Sequence, residues 1–217
     1  PGRTASSPLA TLADAPGNPV DVSLANLRSG AGGDSAQDRV TRSVYNAAGQ
    51  LVYTIAADGA PIEHRYDGAG RLTDTIAYYN RISIDRAIDE VLPSAVSVTP
   101  HANDRRTRLF YTNDGQLAGM LDPEGYLAEK VYGASGLLIR EIAYANQTAA
   151  GVRATGTLAE LKSSAGTDDE TQLDPERDSQ TRYFYDGQRK LQASFDPEGY
   201  LSDIWYDLSG NVTLRTR

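Results

Sequence analysis

The feature of the sequence that most constrains the fold is a unit that occurs three times without gaps. The three copies span residues 41–72, 107–138 and 181–212. In each copy two tyrosines stand 21 residues apart, at positions 45 and 66, 111 and 132, and 185 and 206. A fixed period of this kind indicates a repeat architecture, in which each unit buries its apolar surface against the next unit.

Turn signals divide each copy into short strands. One turn signal is the pattern Tyr-Asp-x-x-Gly, as at Tyr66-Asp67 and Gly70. In this pattern the aspartate accepts nearby backbone N–H groups and the glycine supplies a positive φ. A second turn lies midway, at Asp58-Gly59 and at the two Asp-Pro-Glu-Gly sequences 122–125 and 196–199. Turns every 10 or 11 residues leave strands of about six residues, and such short connections make neighbouring strands antiparallel.

The faces of these strands favour a ribbon over a compact sandwich. Residues 126, 128, 130 and 132 alternate with 127, 129 and 131, and each set mixes apolar and charged side chains. Such a sheet suits a curved ribbon with one face toward a partly solvated cavity. We therefore predict an all-β fold, a spiral ribbon of short antiparallel hairpins with roughly ten to twelve strands and short helical inserts between units.

The residues that we expect to carry the repeated structure are the tyrosines, glycines and aspartates of the turns. They are Tyr45, Gly49, Tyr66, Asp67, Gly70, Tyr111, Gly115, Asp122, Gly125, Tyr132, Gly136, Tyr185, Asp186, Asp196, Gly199, Tyr206, Asp207 and Gly210. One turn departs from the pattern, because Arg189 stands where the others have glycine. The pair Asp186-Gly187 predicts that the third copy turns two residues earlier.

The segments between the copies also repeat. Segment 23–32 (SLANLRSGAG) resembles segment 157–166 (TLAELKSSAG) almost position for position. Thr157 and Glu160 have the spacing of a capping box, and residues 83–92 have helical apolar spacing that stops at Pro93. We divide one larger repeat domain into a helix-plus-linker insert (1–38), a first unit (39–80), a helical insert (81–104), a second unit (105–147), a helix-plus-linker insert (148–180) and a truncated third unit (181–217).

The composition excludes several classes of function. The 217 residues carry 29 Asp and Glu against 21 Lys and Arg, a net charge of −8, whereas a surface for nucleic acid or anionic membranes needs clustered basic residues. Without cysteine there is no disulfide framework, zinc finger or cysteine nucleophile. No apolar run approaches the roughly 18 residues of a membrane span, and the start at Pro1 has no signal peptide, so we expect a piece of a longer protein.

We predict no catalytic residue, no metal site and no cofactor. His64 lies within a strand and His101 in an insert, and neither has a ligand at metal-binding spacing. Gly-x-Ser-x-Gly, the P-loop and Gly-x-Gly-x-x-Gly are absent. The run 168–170 (DDE) could attract calcium, but the spaced oxygen ligands and glycine of a calcium loop are missing, so a solvated linker is favoured.

The Tyr-Asp pairs and their period resemble the Rhs/YD-repeat family, which includes bacterial Rhs proteins, toxin shells and teneurin-like proteins. The resemblance covers about 41–80, 107–147 and 181–217, with full matches at 66–70 and 206–210; Asn46, Thr112 and Gly133 replace the aspartate elsewhere. It implies a β-ribbon that spirals into a hollow shell. Shells of this family end in a self-cleaving cap near an Asp-Pro sequence, but Asp122 and Asp196 lie at the midpoints of ordinary units, which favours turns.

The resemblance implies a structural function, that of a wall segment in a secreted or cell-surface protein whose shell encloses and delivers a toxin. Its partners would be the rest of the same repeat shell and the enclosed toxin segment. The alternative is an adhesin that binds a glycan or a protein, because tyrosines and Trp205 on a concave ribbon could stack on sugars. The repeated tyrosines are either structural side chains packed between adjacent hairpins, which the period favours, or an exposed surface that binds a ligand.

Overall fold

A computed structural model of the chain describes residues 39–83, 91–165 and 178–217. Its strands and helices lie in the compact unit formed by residues 42–217. They include one antiparallel sheet of twelve strands, in which the order of the strands in space is their order in the chain. The predicted all-β ribbon of ten to twelve strands in short hairpins is thus confirmed.

The strands run from one turn signal to the next, which places each repeated tyrosine at the last position of its strand. They are β1 (Arg42–Tyr45), β2 (Leu51–Ile55), β3 (Pro61–Tyr66), β4 (Leu72–Ala77), β5 (Arg105–Tyr111), β6 (Leu117–Leu121), β7 (Tyr126–Tyr132), β8 (Leu138–Gln147), β9 (Ser179–Tyr185), β10 (Leu191–Phe195), β11 (Leu201–Tyr206) and β12 (Val212–Thr216). The helical elements are a 3₁₀ turn (Pro93–Ala95), α1 (Ala150–Arg153) and α2 (Leu158–Ser164).

The turns form through the chemistry that the sequence indicates. The Asp67 carboxylate accepts the backbone N–H groups of Ala69 and Arg71, both at 2.9 Å. Gly70 has φ +79° and donates its N–H to the Asp67 carbonyl at 2.9 Å. Since a side chain is strained at this φ, glycine is favoured there.

The expectation that the third unit turns two residues earlier is wrong. Arg189 donates its N–H to the Asp186 carbonyl at 3.0 Å, the bond that glycine makes in the other turns. Arg189 therefore adopts φ +68°, and among the described residues no other non-glycine residue has a positive φ. Register along the sheet overrides the local signal of Gly187, at a backbone cost of roughly 1–2 kcal/mol.

One face of the sheet carries the buried apolar residues, and the inserts cover it in two places. Val44 and Ile55 pack against Val96, which follows the 3₁₀ turn. Further along, Leu161 and Ala165 of the α2 region pack on the cluster formed by Leu121, Leu127, Ile142 and Tyr144.

The helix predicted from the capping box is present as α2. The Thr157 hydroxyl accepts the Glu160 N–H, and the Glu160 carboxylate accepts the Thr157 N–H. The helix predicted over 83–92 lies mostly, and the one over 23–32 entirely, outside the described residues.

Candidate functional surface

Five of the six repeated tyrosines, all except the exposed Tyr45, form a ladder of hydrogen bonds along one side of the ribbon, where their strands end. Each phenol donates to the backbone carbonyl of the leucine that opens the second strand of the preceding hairpin. The five bonds are Tyr66 to Leu51 (2.8 Å), Tyr111 to Leu72 (2.8 Å), Tyr132 to Leu117 (2.9 Å), Tyr185 to Leu138 (2.8 Å) and Tyr206 to Leu191 (2.7 Å). The rings are partly buried, so the polar tip reaches its acceptor while part of the ring stays in solvent.

This ladder, the tyrosine ladder, joins hairpins that are far apart in sequence. Within a unit the tyrosine and its leucine are 15 residues apart, as for Tyr132 and Leu117. Across the inserts the separation is 39 residues for Tyr111 and 47 for Tyr185. Because the same bond bridges both kinds of junction, an insert interrupts the chain but leaves the edge of the ribbon continuous.

A second repeated contact lies on the covered face, where a tyrosine within a strand or directly after it donates to a glutamate on the strand before. Tyr78 bonds the Glu63 carboxylate at 2.5 Å, and Tyr144 bonds that of Glu129 at 2.6 Å. Glu129 is only 8% exposed and also accepts from the Lys162 ammonium at 2.7 Å. The buried charge is therefore paired from two sides, as a buried carboxylate must be, and the ion pair fixes α2 on the sheet.

Glu141 makes a further link across β7, β8 and β9. It forms an ion pair with Lys130 and accepts a hydrogen bond from the Tyr183 phenol at 2.5 Å. The bond from Lys130, with that from Tyr183, holds the pKa of Glu141 below its usual value. Partial burial and the bond to Glu141 raise the pKa of Tyr183 to about 12.

Tyr183 should therefore remain a phenol at a pH where an ordinary tyrosine, with a pKa of 10.0, is ionised. In a pH titration followed by ¹³C NMR of Cζ-labelled tyrosines, the resonance that disappears in Tyr183→Phe should shift with a midpoint near 12. Because the folded-state pKa is raised, the stability contributed by the protonated phenol is complete below pH 10 and is lost as pH rises toward 12. Glu141→Gln should move this midpoint toward 10; an unchanged midpoint would contradict the assigned pair.

The Asp-Pro-Glu-Gly sequences form turns. The Asp122 carboxylate accepts the N–H groups of Gly125 and Tyr126, both at 2.8 Å. The Asp196 carboxylate accepts the N–H of Tyr200 at 2.8 Å and forms an ion pair with Arg217 at 2.9 Å. Both aspartates are thus bound as turn-closing acceptors.

The two histidines lie apart from any cluster of ligands. His64 faces Thr75 across the pair of β3 and β4. His101 stacks on Tyr79 with 4.4 Å between ring centres, and its Nδ1 accepts the Asn103 N–H at 3.0 Å. Within the ranges that the structure describes, no three His, Asp or Glu side chains come together as metal ligands, and no helix is long and apolar enough to cross a membrane. The acidic run 168–170 lies outside those ranges.

Sequence reasoning missed the uncovered part of the apolar face. In the third unit this face carries large exposed side chains, among them Phe184, Leu201 and Trp205. The inserts cover Val44, the equivalent of Phe184 in the first unit, and Leu127, the equivalent of Leu201 in the second. The alternation of residues predicts the face but not which stretch of chain folds back over it.

No model of a protein family and no curated protein matches the chain. It is similar in structure to TcdB2-TccC3 (TM-score 0.50, 14% identity over 81% of this chain). Other matches are TcdB2-TccC3-TEV (0.48, 16%, 81%) and the Tc holotoxin pore of Photorhabdus luminescens (0.48, 16%, 82%). The chain spans 8% of the length of each of these proteins. At this identity the likeness to TcdB2-TccC3 shows a shared fold.

Proposed function

We propose that the chain is a wall segment of an Rhs/YD-type shell, in a secreted protein that encloses and delivers a polypeptide toxin. The observation that carries this proposal is the continuity of the ribbon. Twelve strands follow one another in order, and the tyrosine ladder crosses both inserts with the same bond. A wall needs an edge that continues through every unit, whereas an enzyme needs a converging set of reactive groups. In this proposal the segment has no catalytic role.

Two further observations support a wall. The resemblance of the repeats to the Rhs/YD family implies a spiral shell, and the chain shares a fold with TcdB2-TccC3. Since the chain spans 8% of that protein, one such segment would supply only a small arc of a closed shell. The rest of the shell and its cargo would come from the rest of the same polypeptide.

The test is cryo-electron microscopy with limited proteolysis of the complete gene product. We expect a closed hollow shell in which the twelve strands form part of the wall, together with an internal segment that resists protease until the shell is opened by denaturant. A complete product that remains an open ribbon, or a shell without an internal segment, would contradict the proposal.

The alternative, an adhesin that binds a glycan or a protein partner, is favoured by the exposed aromatics of the third unit. Trp205 is 58% exposed and Tyr200 is 55% exposed, and such rings can stack on sugars. A glycan array probed with the full chain separates the two functions. Specific binding that is lost in Trp205→Ala would favour the adhesin, and absence of binding would leave the wall as the better account.

A further inference from the structure

Three positions of the repeat are apolar and point to the same face in every unit, but what covers them differs from unit to unit. They are Val44, Ile55 and Pro61 in the first unit, Phe110, Leu121 and Leu127 in the second, and Phe184, Phe195 and Leu201 in the third. The register confirms the equivalence, because Ile55 pairs with Pro61, Leu121 with Leu127 and Phe195 with Leu201. Leu121 and Leu127 are 2% and 1% exposed, whereas Phe195 and Leu201 are 42% and 49% exposed.

In the first two units the cover is a polypeptide segment. The segment that contains Val91, Val96 and Val98 lies on the first unit, and α2 lies on the second through Leu161, which is 0% exposed. The α2 contact has a polar component, since Lys162 bonds Glu129 at 2.7 Å. On the face of the second unit this chain therefore places Leu161 as an apolar anchor, the cation Lys162 next to it and, four residues after the anchor, the small residue Ala165.

The third unit offers the complementary groups for such a helix. Trp205 and Leu214 extend the apolar area around Phe195 and Leu201. Asp203 occupies the position of Glu129, three residues before the repeated tyrosine. Asp203 pairs with Ala193 and Thr216 through its backbone. Its carboxylate makes no hydrogen bond or ion pair within the described ranges, so its charge is available to a cation, as that of Glu129 is to Lys162.

We propose that this surface, the third-unit face (Phe184, Phe195, Leu201, Asp203 and Trp205), is a docking site for a short amphipathic helix of a partner polypeptide. The helix has the pattern of α2: Leu, a basic residue directly after it, and Ala four residues after the Leu. The two covered units supply the precedent for the apolar contact, and Asp203 supplies the charge complementarity. This proposal is independent of the wall function, because it concerns one face of the ribbon rather than its enclosure.

One detail of the face restricts the helix further. A Cβ on Gly119 would lie 2.7 Å from Leu158 Cδ1, so the end of the Leu158 side chain would have to shift if a side chain stood there. The third unit has Ala193 at this position, paired with Asp203 as Gly119 is with Glu129. The partner helix should therefore carry a residue smaller than Leu three positions before its Leu anchor.

The experiment uses the full chain and a synthetic peptide of residues 157–165 with Leu158→Ala. So short a peptide is not helical alone, so the peptide also carries Ala159→Lys and Ser163→Asp, whose side chains are condensed into a lactam that preforms the helix. Both positions are exposed in α2. Trp205 is the only tryptophan of the chain and serves as the reporter. We expect a saturable shift of its emission to shorter wavelength and lower acrylamide quenching, with a Kd of the order of 0.1 mM.

Matched variants test the pattern. In the peptide, Leu161→Ala should weaken binding about tenfold or more, and Leu158 in place of Ala should weaken it as well. In the protein, Asp203→Lys should weaken binding of the parent peptide and restore binding of a Lys162→Glu peptide, a reversal that a nonspecific apolar contact cannot produce. Asp203 is partly exposed and Leu201 is exposed, so these positions can be changed without disturbing the core, as circular dichroism will verify.

Three results would overturn the proposal. One is no change in Trp205 emission with a peptide that is helical by circular dichroism, up to about 1 mM. A second is binding that is indifferent to Asp203→Lys. The third is a concentration-dependent dimer in sedimentation, with Trp205 already protected in the absence of peptide, since the occupant would then be a second copy of this chain.

Discussion

Leu127→Ala should lower the free energy of unfolding by about 2–5 kcal/mol, the cost of removing a buried leucine and leaving a cavity. Leu127 is 1% exposed and lies in the cluster that α2 covers. For a chain of this size about 3 kcal/mol corresponds to a fall in melting temperature of roughly 6–12 °C. Differential scanning calorimetry or thermal circular dichroism measures the change.

Leu201→Ala is the matched control, because it removes the same side chain from the same position of the third unit. Leu201 is 49% exposed, so we expect a loss below about 1 kcal/mol and little change in melting temperature. Equal losses at the two positions would mean that the third-unit face is covered in solution, and would contradict both its exposure and its availability for docking.

The turns and strands were predictable because their chemistry is local. An aspartate that binds backbone N–H groups two and four residues on, as Asp67 and Asp207 do, needs no information from elsewhere in the chain. A capping box has the same property, which is why Thr157 and Glu160 locate α2. Period and punctuation together therefore fix the ribbon.

Arg189 marks where local chemistry fails. Its turn keeps the position that the repeat demands, because Tyr185 must reach the Leu138 carbonyl at 2.8 Å and Leu191 must pair with Tyr185. These partners lie outside the turn itself. The nearest glycine, Gly187, is a weaker determinant than this register, and Arg189 adopts the strained backbone.

The contacts that define the candidate surfaces are non-local and were not predictable. Glu129 and Lys162 are 33 residues apart, and Tyr111 and Leu72 are 39 apart. No local pattern in the sequence pairs these residues, because they meet only when the chain on either side of an insert has folded into one sheet. The sequence likewise gives no sign that Phe195 stays exposed while Leu121, at the same position of its unit, is buried.

Tyr132→Ala should be the most damaging single change in the tyrosine ladder. The substitution removes a partly buried ring and the hydrogen bond of 2.9 Å to the Leu117 carbonyl in the middle unit. Since truncating a fully buried aromatic costs about 3–5 kcal/mol, we expect a loss at the lower end of that range. Tyr132→Phe keeps the ring and should cost only about 0.5–1.5 kcal/mol, the net value of one hydrogen bond.

The same pair of substitutions at Tyr206 distinguishes a structural tyrosine from a binding platform. Tyr206 makes the same bond to the Leu191 carbonyl at 2.7 Å, but it packs beside β12, whose residues are all exposed. Tyr206→Ala should therefore destabilise less than Tyr132→Ala. A platform that stacks on sugars requires the opposite result, in which Tyr132→Ala melts within about half a kcal/mol of the parent and loses glycan binding. Because five such bonds connect successive hairpins, the ladder account places the largest loss where a tyrosine has neighbours on both sides.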